Sequence, residues 1–283
     1  MSPGVEYALA AMVCIGLADL VYKRAATQGV QPIHFLMVQG LFFGPAIVAY
    51  AWATGVLYAP PGFEWGMAAG FFIYIALYNF ARSLASGAVS IVAPIFRLNF
   101  VLTAAFAIVV LGEPLTLNKV IGLALALAAV WLLLGDGGSA SAKPSARVPL
   151  GRVLLATLAI AACNLCYKFG VAAGVPPVTM LVGQASVFVP MTLIVVWITG
   201  RSLKAPAIAW KHPPFAALFL FIGFPLLLES LRRGEASVLI PIGQMGFIVT
   251  ALCGMLFMRE AFTVRKVVGL VAAAGALVML ARG

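Results

Sequence analysis

Acidic residues are scarce in this chain. Eight Asp and Glu stand against eighteen Lys and Arg, and charged residues together fill only 9% of 283 positions. A water-soluble domain carries about a quarter of its residues as charges, so water is excluded as the main solvent. Histidine is nearly absent: His34 and His212 both fall near expected helix starts. No His-Glu-x-x-His pattern and no Gly-x-Ser-x-Gly elbow occurs, which argues against an integral membrane enzyme and predicts neither catalytic residues nor a metal. No glycine-rich loop ends in Lys-Ser or Lys-Thr, so ATP does not drive the protein directly, and no cofactor is expected. The four cysteines, Cys14, Cys163, Cys166 and Cys253, all lie inside apolar stretches. Cys163 and Cys166 have the spacing of a redox or metal pair. They have no second pair or nearby histidine, however, and packing is the better reading.

What is abundant is apolar sequence, 64% of the chain. Ten stretches approach the roughly 20 residues that cross a bilayer as a helix. They run at about 5–24, 33–53, 65–84, 88–111, 118–135, 151–170, 177–199, 214–230, 236–258 and 264–281. They are too long for strands and lack period-2 alternation, and helices satisfy their own backbone in lipid. The first stretch has no basic segment before it and a repeat partner at 151–170, so it is expected to be a mature helix rather than a signal peptide. The fold class expected is therefore an all-α integral membrane protein. The formal charge of +10 sits mostly at helix ends, which fits membrane anchoring and predicts no nucleic-acid partner.

The chain also repeats itself. At an offset of 145, Asp19-Leu20-Val21-Tyr22-Lys23 falls on Asn164-Leu165-Cys166-Tyr167-Lys168, Gln39 on Gln184 and Pro45 on Pro190. At an offset of 147, Ser90 meets Ser237, Pro94 meets Pro241, Glu113 meets Glu260, Lys119 meets Lys266 and Gly122 meets Gly269. Two halves follow, 1–135 and 151–283, joined by a Gly/Ser/Ala-rich linker at 136–150. Five helices per half is an odd number, so the second copy is inverted relative to the first, the arrangement that lets two repeats rock around a shared site. Pro45, Pro94, Pro190, Pro225 and Pro241 each remove a backbone donor, and unwound turns there would leave carbonyls available to a solute. Gly40 and Gly44, and Gly66 and Gly70, have the spacing that lets helices approach closely.

The segment from Pro94 to Lys119, with Leu111-Gly112-Glu113-Pro114-Leu115 and then Gly122, and its echo at Pro241, Glu260, Lys266 and Gly269, resembles the drug/metabolite transporter superfamily in its ten-helix, EamA-type form. The first helices of each half, ending at Lys23 and Lys168, are similar too. The resemblance covers nearly the whole chain. It implies a transporter of two five-helix repeats with both termini in the cytoplasm, and solutes such as amino acids, nucleotide sugars, organic cations or phosphates. Many members have a basic residue early in the second helix, where this chain has Gln39 and Gln184, so no one member's substrate carries over.

Ionisable residues within lipid are costly and mark candidate sites. Arg97 lies near the centre of 88–111, too deep to reach water easily, and its repeat partner is Gln244. An arginine there suits a carboxylate or phosphate, or is a structural arginine held by carbonyls or an acid. Gln244, Gln184 and Gln39 would add neutral hydrogen bonds, Asp19 would take an ammonium, and Tyr78 and Asn79 complete the expected binding set. Asp19 with Arg82, and Lys168 with Glu229, are expected gate pairs at opposite mouths, with Lys23 and Asn164 beside them. Asp19 with Lys23, and Glu229 with Arg232 or Arg233, are the competing local pairs at helical spacing. Glu113 and Glu260 read as structural residues at the membrane surface.

Four deep bases, Lys23, Arg82, Arg97 and Lys168, outnumber two deep acids, Asp19 and Glu229. A cavity of that sign favours anionic or zwitterionic solutes. The expected function is secondary transport, by alternating access, of a small zwitterionic or anionic metabolite resembling an amino acid. Cation or drug efflux using Asp19, and a flippase setting Arg97 against a lipid phosphate, are the competing readings. Asp19 is the candidate for proton coupling. The expected setting is a bacterial inner membrane, as a multi-pass monomer or homodimer. Basic residues concentrate on the side of the 23–33, 136–150 and 200–213 loops. By the positive-inside rule this places both termini outside the cytoplasm, against the orientation that the resemblance implies.

Overall fold

The computed structural model describes residues 4–86, 89–134, 150–257 and 263–283. Among the described residues there is no strand. The first half holds α1 (Val5–Thr27), α2 (Pro32–Ala53), α3 (Phe63–Ser86), α4 (Val89–Arg97), α5 (Asn99–Leu111) and α6 (Leu117–Leu134). The second holds α7 (Leu150–Ala172), α8 (Pro177–Ile198), α9 (Pro213–Arg233), α10 (Ala236–Gln244), α11 (Phe247–Phe257) and α12 (Val264–Ala281). The expected linker at 136–150 lies outside the described residues except at Leu150, where α7 starts. Helices α4 and α5 form one broken span, and α10 and α11 another, which makes ten spans, five in each half. Among the described residues, nine of them are long and apolar enough to cross a membrane by length and composition. The tenth, α3, has the length, 24 residues, but carries Tyr74, Tyr78, Asn79 and Arg82.

The two halves terminate their helices by the same local chemistry. Gly29, Gly55, Gly174 and Gly200 all take positive φ and close α1, α2, α7 and α8. At each, the residue after the glycine donates to the carbonyl five residues back, as Val30 does to Ala25 and Val175 to Gly170. Glycine adopts this left-handed turn without a Cβ penalty, and the turn satisfies carbonyls that the helix end leaves open. Pro45, Pro190 and Pro225 sit inside α2, α8 and α9 without interrupting them.

The halves are related by a pseudo-two-fold axis. Gly122 lies against Leu280, and the equivalent Gly269 lies against Leu133. Such reciprocal contacts are the mark of a two-fold relation. Likewise α1 packs on α9 as α7 packs on α3, while α2 meets its own equivalent α8, and α6 meets α12. With five spans per half, the second half enters the membrane from the other side. Both α1 and α12 therefore have their outer ends at one face, called here the terminal face. Gly66 and Gly70 let α3 approach α8 closely: a Cβ on either would lie 2.4 Å from the carbonyl oxygen of Met180 or Gln184. Gly40 and Gly44 face side chains of Ala185, Phe188 and Val189 on the same helix.

The spans expected as single helices at 88–111 and 236–258 are each broken, at Leu98 and at Met245–Gly246. Asn99 and Gly246 occupy the equivalent position in the two repeats. The Asn99 amide donates to the Phe96 carbonyl at 2.7 Å, a local bond that competes with the helix ladder. Gly246 is a weak helix former, and a Cβ on Gly16 of α1 would lie 2.4 Å from its carbonyl oxygen. Proline upstream, at Pro94 and Pro241, removes one more ladder donor from each span.

Candidate functional site

The breaks change where backbone groups point. In an unbroken helix the Ile248 N–H would bond the Gln244 carbonyl. Instead it donates to Met245, as Val101 donates to Leu98 rather than to Arg97. The Gln244 carbonyl thus accepts from the Arg97 guanidinium at 3.3 Å, and the Gln244 side-chain oxygen accepts from the same nitrogen at 3.3 Å. Arg97 and Gln244 are repeat equivalents. A residue can touch its own equivalent only near the axis, so this contact marks the axis at membrane depth.

The second guanidinium nitrogen of Arg97 forms an ion pair with Asp19. Asp19 reaches it because Gly16, three residues earlier on the same face of α1, packs backbone to backbone on Gly246 at the α10/α11 break. The side chains of Arg97 and Asp19 are 13% and 31% exposed. Coulombic attraction is far stronger here than in water.

The glutamines also obey the symmetry. Tyr22 donates its hydroxyl to Gln39, and Tyr167 donates to Gln184. A small cavity lies between them, lined by four repeat-related pairs: Gln39 and Gln184, Phe43 and Phe188, Ile73 and Leu220, Leu77 and Phe224. A cavity lined by repeat equivalents sits on the axis. Tyr78 stacks on Tyr74 and accepts from Arg82 at 3.4 Å. Asn79 donates its amide to the Ile75 carbonyl of its own helix at 2.9 Å.

The gate pairs are arranged differently from the sequence expectation. Asp19 pairs with Arg97, not with Arg82, because α1 meets the broken spans. Glu229 pairs with Arg232 and Arg233 at 2.9 and 2.7 Å, the local i,i+3 and i,i+4 arrangement. Lys168 donates to the carbonyls of Leu231 and Gly234 at 3.2 and 2.7 Å, at the end of α9 where carbonyls lack helix partners. Asn164 is buried and donates to the Thr103 hydroxyl at 3.4 Å.

Glu113 carries more than sequence reasoning gave it. Its two carboxylate oxygens accept from the backbone N–H groups of Ala236 and Ser237, each at 2.8 Å. It thereby caps α10 of the other repeat, where a negative charge suits the helix dipole. Lys168 lies 4.0 Å away. Beside it, fully buried Lys119 holds Glu235 and the Pro114 carbonyl. Together these contacts link the two repeats at the terminal face. Its equivalent, Glu260, lies outside the described residues.

Equivalent positions differ in exposure. Lys23 is exposed, whereas the Lys168 side chain is 18% exposed. Tyr22 is half-buried and Tyr167 is 1% exposed; Asp19 is half-buried and Asn164 is 1% exposed. The polar end of α1 points to the face opposite the termini, and that of α7 to the terminal face. Among the described residues no group of three His, Cys, Asp or Glu side chains could hold a metal.

The EamA-like transporter family model matches residues 2–135 and again 150–282. A solved crystal structure, titled only as that of a protein, is similar over 99% of this chain and 98% of its own, with a TM-score of 0.81 and 15% identity, a likeness of fold. An uncharacterized protein of Methanocaldococcus jannaschii is 32% identical over 56 residues, which is 20% of this chain. The match spans 41% of that relative's length.

Proposed function

This chain belongs to the EamA-like transporter family, multi-pass membrane transporters of small molecules, and from that premise we propose that it carries a small zwitterion, amino-acid-like, by alternating access. The observation that carries this reading is the Asp19–Arg97 ion pair on the symmetry axis, next to the Gln244 carbonyl. A zwitterion can part the two residues and still leave both charges compensated, its carboxylate on Arg97 and its ammonium on Asp19. A simple anion would strip Arg97 from Asp19 and leave the acid alone, and a simple cation would leave Arg97 alone. Leaving one member of a buried pair uncompensated costs about 3–5 kcal/mol, less where water reaches the site. The zwitterion is thus favoured over both the anion and the drug-like cation.

Alternation follows from the same symmetry. The network of Glu113, Lys168 and the α10 N-terminus is the closed gate in this state. An exchange of conformation between the repeats would open it and close the opposite mouth, passing the site from one face to the other.

A thermal-shift screen of amino acids, organic phosphates and quaternary amines tests the reading, because a ligand of the native state stabilises it by an amount that rises with the logarithm of its concentration over its dissociation constant. Amino acids are expected to raise the melting temperature of the wild type, with the shift lost in Arg97→Gln and Asp19→Asn. Glutamine is tolerated at the equivalent position, Gln244, so Arg97→Gln fits the site sterically. Stabilisation by quaternary amines alone, or an unchanged amino-acid shift in Arg97→Gln, overturns the reading.

A further inference from the structure

The N-terminus of α10 holds a carboxylate, and holds it incompletely. The two oxygens of Glu113 accept from the first two N–H groups of α10, at Ala236 and Ser237. A half-helix N-terminus of this kind is a ready receptor for an anionic group. Two further donors at the same place are not drawn into the contact. The Ser237 hydroxyl is fully buried and has no hydrogen-bond partner, although covalent geometry keeps it beside the Ser237 amide that Glu113 caps. The Lys168 ammonium is 4.0 Å from the nearer Glu113 oxygen, beyond hydrogen-bonding distance, and turns to the carbonyls of Leu231 and Gly234. A buried, unsatisfied hydroxyl is a standing cost that calls for a specific explanation. Glu113 is tethered two residues past the end of α5, so its carboxylate is not free to turn toward all four donors. An untethered carboxylate is.

We infer that the N-terminus of α10, with the Ser237 hydroxyl and the Lys168 ammonium, is a second carboxylate site, which the solute's carboxylate takes from Glu113 on its passage between the Arg97–Asp19 pair and the terminal face. The inference rests on the proposed zwitterion transport. The exchange keeps charge compensated, because the displaced Glu113 stays within reach and meets the solute's ammonium, as Asp19 does at the axis. A tethered glutamate competes at an effective concentration on the order of millimolar, so the solute gains its place through the added bonds to Ser237 and Lys168. Glu113 joins the first repeat to the second, so its release couples arrival of the solute at this site to opening of the terminal mouth. Exchanging the repeats turns Glu113, Lys168 and Ser237 into Glu260, Lys23 and Ser90, the same three residue types, and Ser90 is again the second residue of its half-helix, α4. A device needed once at each mouth would be duplicated in this way.

The test uses acetate, a carboxylate without an ammonium, and reads dissociation constants from concentration-dependent thermal shifts, with chloride at equal concentration as the control within each variant. Glu113→Ala vacates the site, and acetate is expected to stabilise it beyond chloride. The wild type should need about tenfold more acetate or above for the same shift, because Glu113 competes. Adding Lys168→Gln to Glu113→Ala should weaken acetate about 10- to 100-fold, and adding Ser237→Ala about 2- to 10-fold. Ser237→Ala leaves both amides and the helix dipole in place, so a role of Ser237 in packing alone would not move acetate binding. Adding Arg97→Gln should leave acetate binding unchanged, which separates this site from the axis. Should Glu113→Ala fail to fold, Glu113→Gln, a neutral competitor of the same shape, is expected to respond more than the wild type. No shift beyond chloride in the Glu113 variants, equal shifts in them and the wild type, or binding unmoved by both Lys168→Gln and Ser237→Ala overturns the inference and leaves the Arg97–Asp19 site standing. Loss of acetate binding in Arg97→Gln places the anion at the axis and overturns it too.

Discussion

Arg97 donates to the side chain and to the backbone carbonyl of its own repeat equivalent, Gln244, while its other nitrogen holds Asp19. One guanidinium thus connects both repeats and α1 at the axis. A double-mutant cycle reads the Asp19–Arg97 part of this. Asp19→Asn and Arg97→Gln should each destabilise the protein, and the double variant should lose less than the sum. A coupling on the order of 0.5–3 kcal/mol is expected, toward the low side because Asp19 is partly exposed. Unfolding in mixed detergent micelles measures it; strict additivity would show that the pair contributes nothing.

Glu113 should control the terminal gate. Replacing it by alanine removes two charge-assisted bonds to α10. A loss of about 1–2 kcal/mol from the closed state raises the open population about 5- to 30-fold. The check is the labelling rate of Val238→Cys, a buried position at that mouth, by a membrane-impermeant maleimide in a cysteine-free background. Glu113→Ala should label faster by that factor, with Glu113→Gln in between because its one oxygen still accepts. Equal rates in all three would remove Glu113 from the gate.

Helix contacts give a contrast that needs no ligand. Gly70→Ala drives a Cβ into the Gln184 backbone, where nothing flexible can yield, whereas Gly40→Ala meets only the Phe188 and Val189 side chains at 3.3 Å and beyond. Gly70→Ala should destabilise by about 1–3 kcal/mol, as overpacking does, and Gly40→Ala by clearly less. Melting temperatures of the two variants decide it.

Orientation is predicted from charge. Lys23, Arg24, Arg82, Arg152, Arg201, Lys204, Lys211, Arg265 and Lys266 lie toward the face opposite the termini, and fewer bases, Lys119, Lys168, Arg232, Arg233 and Arg282, toward the terminal face. The positive-inside rule then puts the termini outside the cytoplasm. A C-terminal reporter active only in the cytoplasm should be silent, and activity would reverse the assignment.

The ten spans, the inverted repeat and the central place of Arg97 and Gln244 were legible in the sequence, because apolar run length and internal self-similarity are one-dimensional signals. The glutamines were legible for the same reason, as repeat equivalents. Partner choice was not. Asp19 has bases at several helical spacings, and its pairing with Arg97 depends on Gly16 meeting Gly246 across the fold. The breaks were half legible: Pro94 and Pro241 announced weak points, but the turns come after Arg97 and Gln244, where Asn99 and Gly246 disturb the ladder. The role of Glu113 was not legible, because the backbone donors it caps come from the other repeat, at Ala236 and Ser237, and no pattern around Glu113 itself points to them.

The central claim, zwitterion transport through the Arg97–Asp19 pair, is tested most directly by counterflow. Proteoliposomes are preloaded with unlabelled standard amino acids and given a trace of the same mixture in radiolabelled form outside. The account predicts transient accumulation of label by the wild type above protein-free vesicles, abolished in Arg97→Gln and in Asp19→Asn. Accumulation that is undiminished in Arg97→Gln, or none in the wild type while labelled quaternary amines accumulate, would contradict it.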